Sequence, residues 1–163
     1  MATGELTALA AQIRSVLEKV KDPEIPSISI VELGMLHKIE LENHKVRIQL
    51  IPTFLGCPAL DIIKRDVKQT ILRDLPWVER VEVEYVLEET WTTDRISPIG
   101  REKLKEYGIA PPPTTFTEGE PWQIDCPYCG STFTSIDNIF GPTACRSILY
   151  CKSCKNPFEA IKP

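Results

Sequence analysis

Two short patterns near the C-terminus could hold a metal ion: 126-CPYCG-130 and 151-CKSCK-155. Each Cys-x-x-Cys can close a tight knuckle in which backbone N–H groups bond the sulfurs. Two knuckles supply four thiolates, the tetrahedral set that closed structural zinc sites use. Residues 130–150 separate the pairs. That gap is slightly longer than usual, and it suits a zinc ribbon with a hairpin between the knuckles. So small a module, with few large apolar groups, needs a metal to fold. Cys126, Cys129, Cys151 and Cys154 are therefore the expected ligands, and their spacing favours zinc over an iron–sulfur centre. Cys145, just ahead of the second knuckle, could be a fifth thiol, a replacement ligand or a small buried residue.

A sixth cysteine stands alone in 53-TFLGCPAL-60. Pro52 ends a strand-like run, Gly56 permits an unusual backbone conformation, and Pro58 suits the first position of a helix. Cys57 would then be the N-cap. There, unpaired N–H groups and the positive helix end favour the thiolate and lower the pKa. The competing reading is a small buried hydrophobe, and position alone leaves both open. His37 and His44 lie on or beside a hairpin, so no partner base for a Cys–His hydrolase is visible. The stretch 22-DPEIP-26 is also unusual. Its prolines suit a helix stop and a turn, or they could hold Asp22 and Glu24 facing Cys57.

The elements that would position these groups follow from hydrophobic period. Leu6, Leu9, Ile13, Val16, Leu17 and Val20 form a helical stripe over 5–20, stopped before Asp22-Pro23. An ordered loop leads to a turn at Gly34. Residues 35–41 alternate, with Met35, His37, Ile39 and Leu41 on one face. After a tight connection at 42–45, residues 46–51 alternate again, which predicts a β-hairpin. A second stripe over 58–75 carries Ile63, Val67 and Ile71, with an Asp61–Arg65 ion pair on its outer face. Residues 78–87 form a strand with one wet face. The order helix–strand–strand–helix–strand predicts a parallel last pair joined by a right-handed crossover.

Ser97, Pro98 and Gly108 are start and stop signals for one more helix. The Pro-rich run 111–121 reads as a semi-rigid linker. The fold class is thus α+β, in three regions: a domain over 1–90, a helical segment and linker over 91–121, and the four-cysteine module over 122–163.

Net charge is −4, and the C-terminal module has few basic residues (Arg146, Lys152, Lys155). Both argue against nucleic-acid binding and favour protein contact. No apolar run is long enough to span a membrane. The first twenty residues lack the basic and apolar regions of a signal peptide, so a cytoplasmic protein is expected.

The motifs DPEIP, SIVELGML (29–36) and PTFLGCPA (52–59) resemble the SufT-like domain family of iron–sulfur cluster assembly proteins. The resemblance covers about residues 5–87. The stretch 91-WTTDRISPIGREKLKEYGIAPP-112 and the ending CPYCGS…FGPTACRSILYCKSCKNPFEAIK resemble the PaaD family. These are accessory subunits encoded with a phenylacetyl-CoA ring-1,2-epoxidase. The resemblance implies a small α/β domain with a zinc-ribbon-like tail. It implies assembly or maintenance of the metal centres of a multicomponent oxygenase, whose reductase carries flavin and a [2Fe–2S] cluster and whose catalytic subunit holds di-iron. Epoxidation itself is not implied, and no residue is expected to be catalytic. By motif match Cys57 is the reactive thiol, Asp22 and Glu24 form the acidic loop beside it, and a cysteine is matched at Cys145. The implied partners are the oxygenase and reductase subunits.

A single thiol gives one ligand, so a transient iron–sulfur cluster at Cys57 would need partner ligands, a small thiol or a homodimer. The alternative is a non-catalytic docking subunit with a structural zinc ribbon. A thiol-dependent enzyme and a ribbon that binds nucleic acid are weaker readings.

Overall fold

The computed structural model describes residues 3–113 and 117–162. It divides into two compact units, Met1–Trp91 and Thr92–Pro163.

The first unit contains α1 (Thr3–Leu17), β1 (Leu36–Glu42), β2 (Lys45–Leu50), α2 (Ala59–Asp74) and β3 (Arg80–Tyr85). The sheet order is β1-β2-β3. β1 and β2 form the antiparallel hairpin, closed at Asn43, whose φ of 54° is the left-handed value such tight turns need. β2 and β3 run parallel through the α2 crossover. Val46, Ile48, Leu50, Val81 and Val83 are buried with Ile13, Leu17, Ile63, Val67 and Ile71, so the helical stripes and one sheet face make the core. The other face is wet. There Glu82 is shared by Lys45, Arg47 and Arg80, and Gln49 donates to Glu84.

Three local expectations are corrected. His37 was expected on the face shared by Met35, Ile39 and Leu41, but it is exposed. The ladder slips between Leu36 and Lys38, and such a bulge turns the intervening side chain away. Arg65 pairs with Asp66 at 3.1 Å rather than with Asp61. Gly56 does not adopt a positive φ. Instead, a Cβ there would sit 3.0 Å from a ring carbon of Phe54, so the glycine makes room for that ring.

The second unit begins with a 3-10 turn at Thr93–Arg95, followed by α3 (Pro98–Tyr107), β4 (Ile109–Ala110), β5 (Thr134–Asn138), β6 (Arg146–Cys151) and β7 (Pro157–Ile161). Ser97 Oγ caps α3 by accepting from the Gly100 N–H, and Gly108 ends it at φ 90°. The sheet order is β4-β7-β6-β5. Residues 91–121, read from sequence as helix and linker, divide differently in space: β4 pairs in parallel with β7 and so belongs to the ribbon sheet. Arg101 ties this segment down by donating to the Thr93 and Pro112 carbonyls. Part of the linker expectation, 114–116, lies outside the described residues. No helix among the described residues is long and apolar enough to cross a membrane.

One contact ties the two helices of the first unit. Asp74 on α2 accepts from Arg73 at 2.6 Å and from Lys19, just beyond α1, at 2.8 Å. The Arg73 guanidinium, and then Lys19, hold its carboxyl down at about 2. A depressed carboxyl stabilises the fold above its unfolded pKa, and that stability is lost as pH falls through the folded value. Asp74→Asn should therefore unfold more readily than wild type at neutral pH. The difference should close between the ordinary carboxyl value of 3.8 and about 2, as read by urea midpoints across that pH range.

Candidate metal centre and thiol site

The four ribbon cysteines converge. Their sulfurs all lie within 4.8 Å of one another, and the shortest approaches cross between knuckles: Cys126 to Cys154 at 3.7 Å and Cys129 to Cys151 at 3.6 Å. A tetrahedral ion with metal–sulfur bonds of about 2.3 Å has sulfur–sulfur edges of about 3.8 Å. The set fits a single tetrahedral ion.

The two knuckles share one backbone plan. The Cys126 N–H donates to the Ser131 carbonyl and the Cys151 N–H to the Asn156 carbonyl; Gly130 N–H returns to the Cys126 carbonyl and Lys155 N–H to the Cys151 carbonyl. Cys154 N–H points at the Cys151 sulfur at 3.5 Å. A hydroxyl contact of 2.7 Å between Ser131 and Ser153 joins the two knuckles. Below them, Ile124, Leu149, Phe158, Ala110 and Ala160 form a small core with Cys126 and Cys151, and Trp122 packs against it.

The thiols do not titrate alike. The Asn156 side chain chiefly draws Cys154 down to about 6. Cys129 receives the Ser131 N–H, which lowers its pKa, but burial and the neighbouring thiols carry it up to about 11. A divalent ion must therefore displace protons to bind, and its affinity falls as pH falls. Cys145 is outside this group of four; its sulfur is 3.3 Å from the Thr143 hydroxyl.

Cys57 lies between β2 and α2 and is half-buried. It was expected at the N-cap. The cap is Pro58, already helical at φ −67° and ψ −16°, and no side chain caps the turn. Cys57 enters through its backbone instead: its carbonyl accepts from the Leu60 N–H at 3.3 Å, and its N–H donates to the Phe54 carbonyl at 3.3 Å.

Asp22 is buried. Its Oδ1 accepts from the Glu24 and Ile25 N–H groups at 2.8 and 3.0 Å, closing the DPEIP turn as an Asx turn. Glu24 is half-buried on the same loop. Tyr85 lies at the end of β3. Its hydroxyl donates to the Leu60 carbonyl at 2.8 Å. Burial, and then the negative charges of Cys57, Asp61 and Asp22, push its pKa up. Asp22 and Cys57 both lie near enough to Tyr85 for their charges to disfavour its ionised form. His44 is at the other end of β2, where its Nδ1–H donates to the Trp77 carbonyl at 2.9 Å.

Sequence reading missed Tyr85 and Asp61. The available signal was the parallel pairing itself. It sets Tyr85 level with Leu50, at the carboxyl ends of parallel strands where binding groups collect.

The PaaD zinc beta ribbon domain family matches residues 110–162, and an iron–sulfur cluster assembly protein family matches residues 10–85. The molecule is of the class that joins an iron–sulfur cluster assembly domain to a zinc beta ribbon. Along nearly its whole length it is similar to a candidate 1,2-phenylacetyl-CoA epoxidase component from Escherichia coli (strain K12). The identity is 34% over 152 residues, covering 93% of this chain and 91% of the relative. The chain belongs to that PaaD family. Its first part is also similar to the Fe-S protein maturation auxiliary factor YitW of Bacillus subtilis (strain 168), 38% identical over 55% of this chain and 87% of the relative. A solved domain of unknown function from Bacillus anthracis is 31% identical, with a TM-score of 0.57, over 60% of this chain and 92% of that one.

The knuckles differ at the residue that follows the second cysteine. Gly130 and Lys155 occupy equivalent positions with φ of 71° and 63°. A left-handed non-glycine residue costs about 1–2 kcal/mol. Lys155→Gly should raise the stability of the metal-loaded protein by about 1 kcal/mol. A Cβ at Gly130 would meet nothing within 4 Å, so Gly130→Ala should lower stability by a similar amount through the backbone alone. Thermal unfolding of both variants checks the pair.

Proposed function

We propose that this protein is an accessory factor that serves the iron–sulfur or di-iron centres of a multicomponent phenylacetyl-CoA epoxidase, and does not itself carry out the oxygenation. The observation that carries this reading is the Cys57 site. A half-buried thiol lies on a strand-to-helix loop, at the carboxyl end of the parallel strands β2 and β3, on a domain of the iron–sulfur assembly family. The names of the similar proteins support it: an epoxidase component over the full length and iron–sulfur maturation factors over the first part. Iron or cluster transfer needs a thiolate that binds reversibly, and one cysteine gives a hold that a recipient can compete away. Completing a cluster takes ligands from the recipient, a small thiol or a second copy of this chain.

The ribbon plays a separate part in this reading. Cys126, Cys129, Cys151 and Cys154 would hold zinc, which supplies no chemistry beyond fastening the second unit. Sulfur edges of 3.6 and 3.7 Å suit one ion, whereas a cluster sets its cysteines on different irons and so farther apart.

A second reading, a docking subunit in which Cys57 is idle, has one observation in its favour. Phe133, Ile136, Ile139 and Phe140 are 61%, 43%, 52% and 78% exposed on the second unit, more apolar surface than a free ribbon should show.

Two measurements decide. Metal analysis of the full chain, purified anaerobically, should find one zinc per chain and none after Cys126→Ser with Cys154→Ser. Iron and acid-labile sulfide in its place would reject the zinc assignment. Co-expression with Cys57→Ser should leave the partner reductase short of iron and sulfide. A fully loaded reductase would favour the docking reading instead.

A further inference from the structure

The loop between β2 and α2 presents two large apolar side chains ahead of Cys57. Phe54 and Leu55 are both exposed. The chain leaving β3 passes beside them. Its Leu87 and Trp91 line one cleft with Phe54 and Leu55, about 260 Å³ in volume. The wall after β3 is fixed at both ends. The Val86 N–H donates to the Leu50 carbonyl at 2.8 Å, and the Trp91 indole N–H donates to the Leu33 carbonyl at 2.9 Å. Single exposed apolar residues are ordinary. Phe54, Leu55 and Leu87 gathered at one opening make the kind of patch that marks an interaction site. The cleft is smaller than the roughly 300–1,000 Å³ of small-molecule sites. It suits the anchoring side chain of a protein partner.

The charge around the cleft selects that partner. Residues 51–63 and 81–91, the two stretches that carry it, include Asp61, Glu82, Glu84, Glu88 and Glu89 and no lysine or arginine. On the wet sheet face Glu82 is met by Lys45, Arg47 and Arg80, and Glu84 by Gln49. Glu88 and Glu89 are exposed, and Glu89 lines the cleft itself. The next basic residues along α2 are Lys64 and Arg65, and Arg65 pairs with Asp66. Two copies of this chain meeting through this face would set like charges against each other. We propose that the cleft docks the protein that receives iron or a cluster from Cys57, through a leucine- or phenylalanine-sized anchor set among lysines and arginines. The anchor fills the cleft and the basic residues meet Glu88 and Glu89. Leu55 is two residues from Cys57, so docking here brings the recipient to the loop that carries the thiol. The proposal rests on the reading of Cys57 as the working thiol. It makes the recipient, rather than a second copy, the source of the completing ligands.

The test uses the full metal-loaded chain and the cluster-free reductase subunit, with association followed by surface plasmon resonance. Wild type should bind, and association should slow as salt rises, as a charge-steered encounter does. Leu55→Ser with Leu87→Ser should weaken binding at least about tenfold, chiefly through faster dissociation. Both side chains are exposed, so the melting temperature should hold. Glu88→Lys with Glu89→Lys should slow association and flatten its salt dependence. Phe133→Ser with Phe140→Ser, on the ribbon, should bind as wild type does. The proposal is overturned if wild type fails to bind, if either cleft variant binds unchanged, or if the ribbon variant loses binding in its stead. A wild-type dimer in sedimentation that Leu55→Ser with Leu87→Ser dissolves also overturns it, because the cleft would then hold a second copy. The two readings separate. If the cleft variants lose binding while Cys57→Ser still supports a loaded reductase, the docking stands and the role of Cys57 falls. If Cys57→Ser abolishes loading while the cleft variants bind unchanged, the role stands and the docking falls.

Discussion

The parallel register of β2 and β3 is the constraint on which the thiol site depends. It aligns Leu50 with Tyr85, and both strands end at the same level. The chain leaving β2 must then climb over that end to enter α2, and Cys57 falls on the climb. The chain leaving β3 continues through Val86, whose N–H donates to the Leu50 carbonyl at 2.8 Å, so the ladder extends one step beyond the named strand. A one-residue slip would turn Tyr85 to the wet face among Glu82 and Glu84. The buried face, with Ile48 and Val83 paired across it, forbids the slip. Core packing and site geometry are here the same requirement.

The second unit rests on a different balance. The core beneath its knuckles is a handful of side chains, and two of them are the cysteines Cys126 and Cys151. So small an apolar cluster gives four strands little support by itself, and these two sulfurs sit both in that core and in the group of four that could hold an ion. Lys152 over the Phe133 ring at 5.1 Å, and Lys162 over Phe140 at 5.5 Å, lay cations on rings that remain largely open to solvent. The buried Arg146 pairs with Glu159 at 2.6 Å across the β6–β7 ladder.

What the sequence made legible was local. The stripes of α1 and α2, the hairpin around Asn43, and the Ser97–Gly108 bracket of α3 depend on neighbours within a few residues, and all are found. The two Cys-x-x-Cys pairs were equally plain, because the knuckle is a short, local object. The misreadings were non-local. Ile109–Ala110 is too short to show a period and becomes a strand only by pairing with β7. β7 opens with proline, which ordinarily argues against a strand but is tolerated at its first residue. His37 left its expected face because of a bulge, and Tyr85 gained its neighbours from a crossover. Neither event has a marker in the residues around it.

The β4–β7 pairing bears on how such a chain could have been put together. Composition suggests a seam at the prolines before Trp122, since the cysteines begin soon after. The fold puts the seam at Trp91 and Thr92. A gene fusion or exchange that broke at the prolines would strip a strand and α3 from the ribbon and leave β7 with a bare edge. A break between Trp91 and Thr92 would hand over a closed module. Recombination that preserved folding would have had to respect that earlier joint, which no run of glycine or proline advertises.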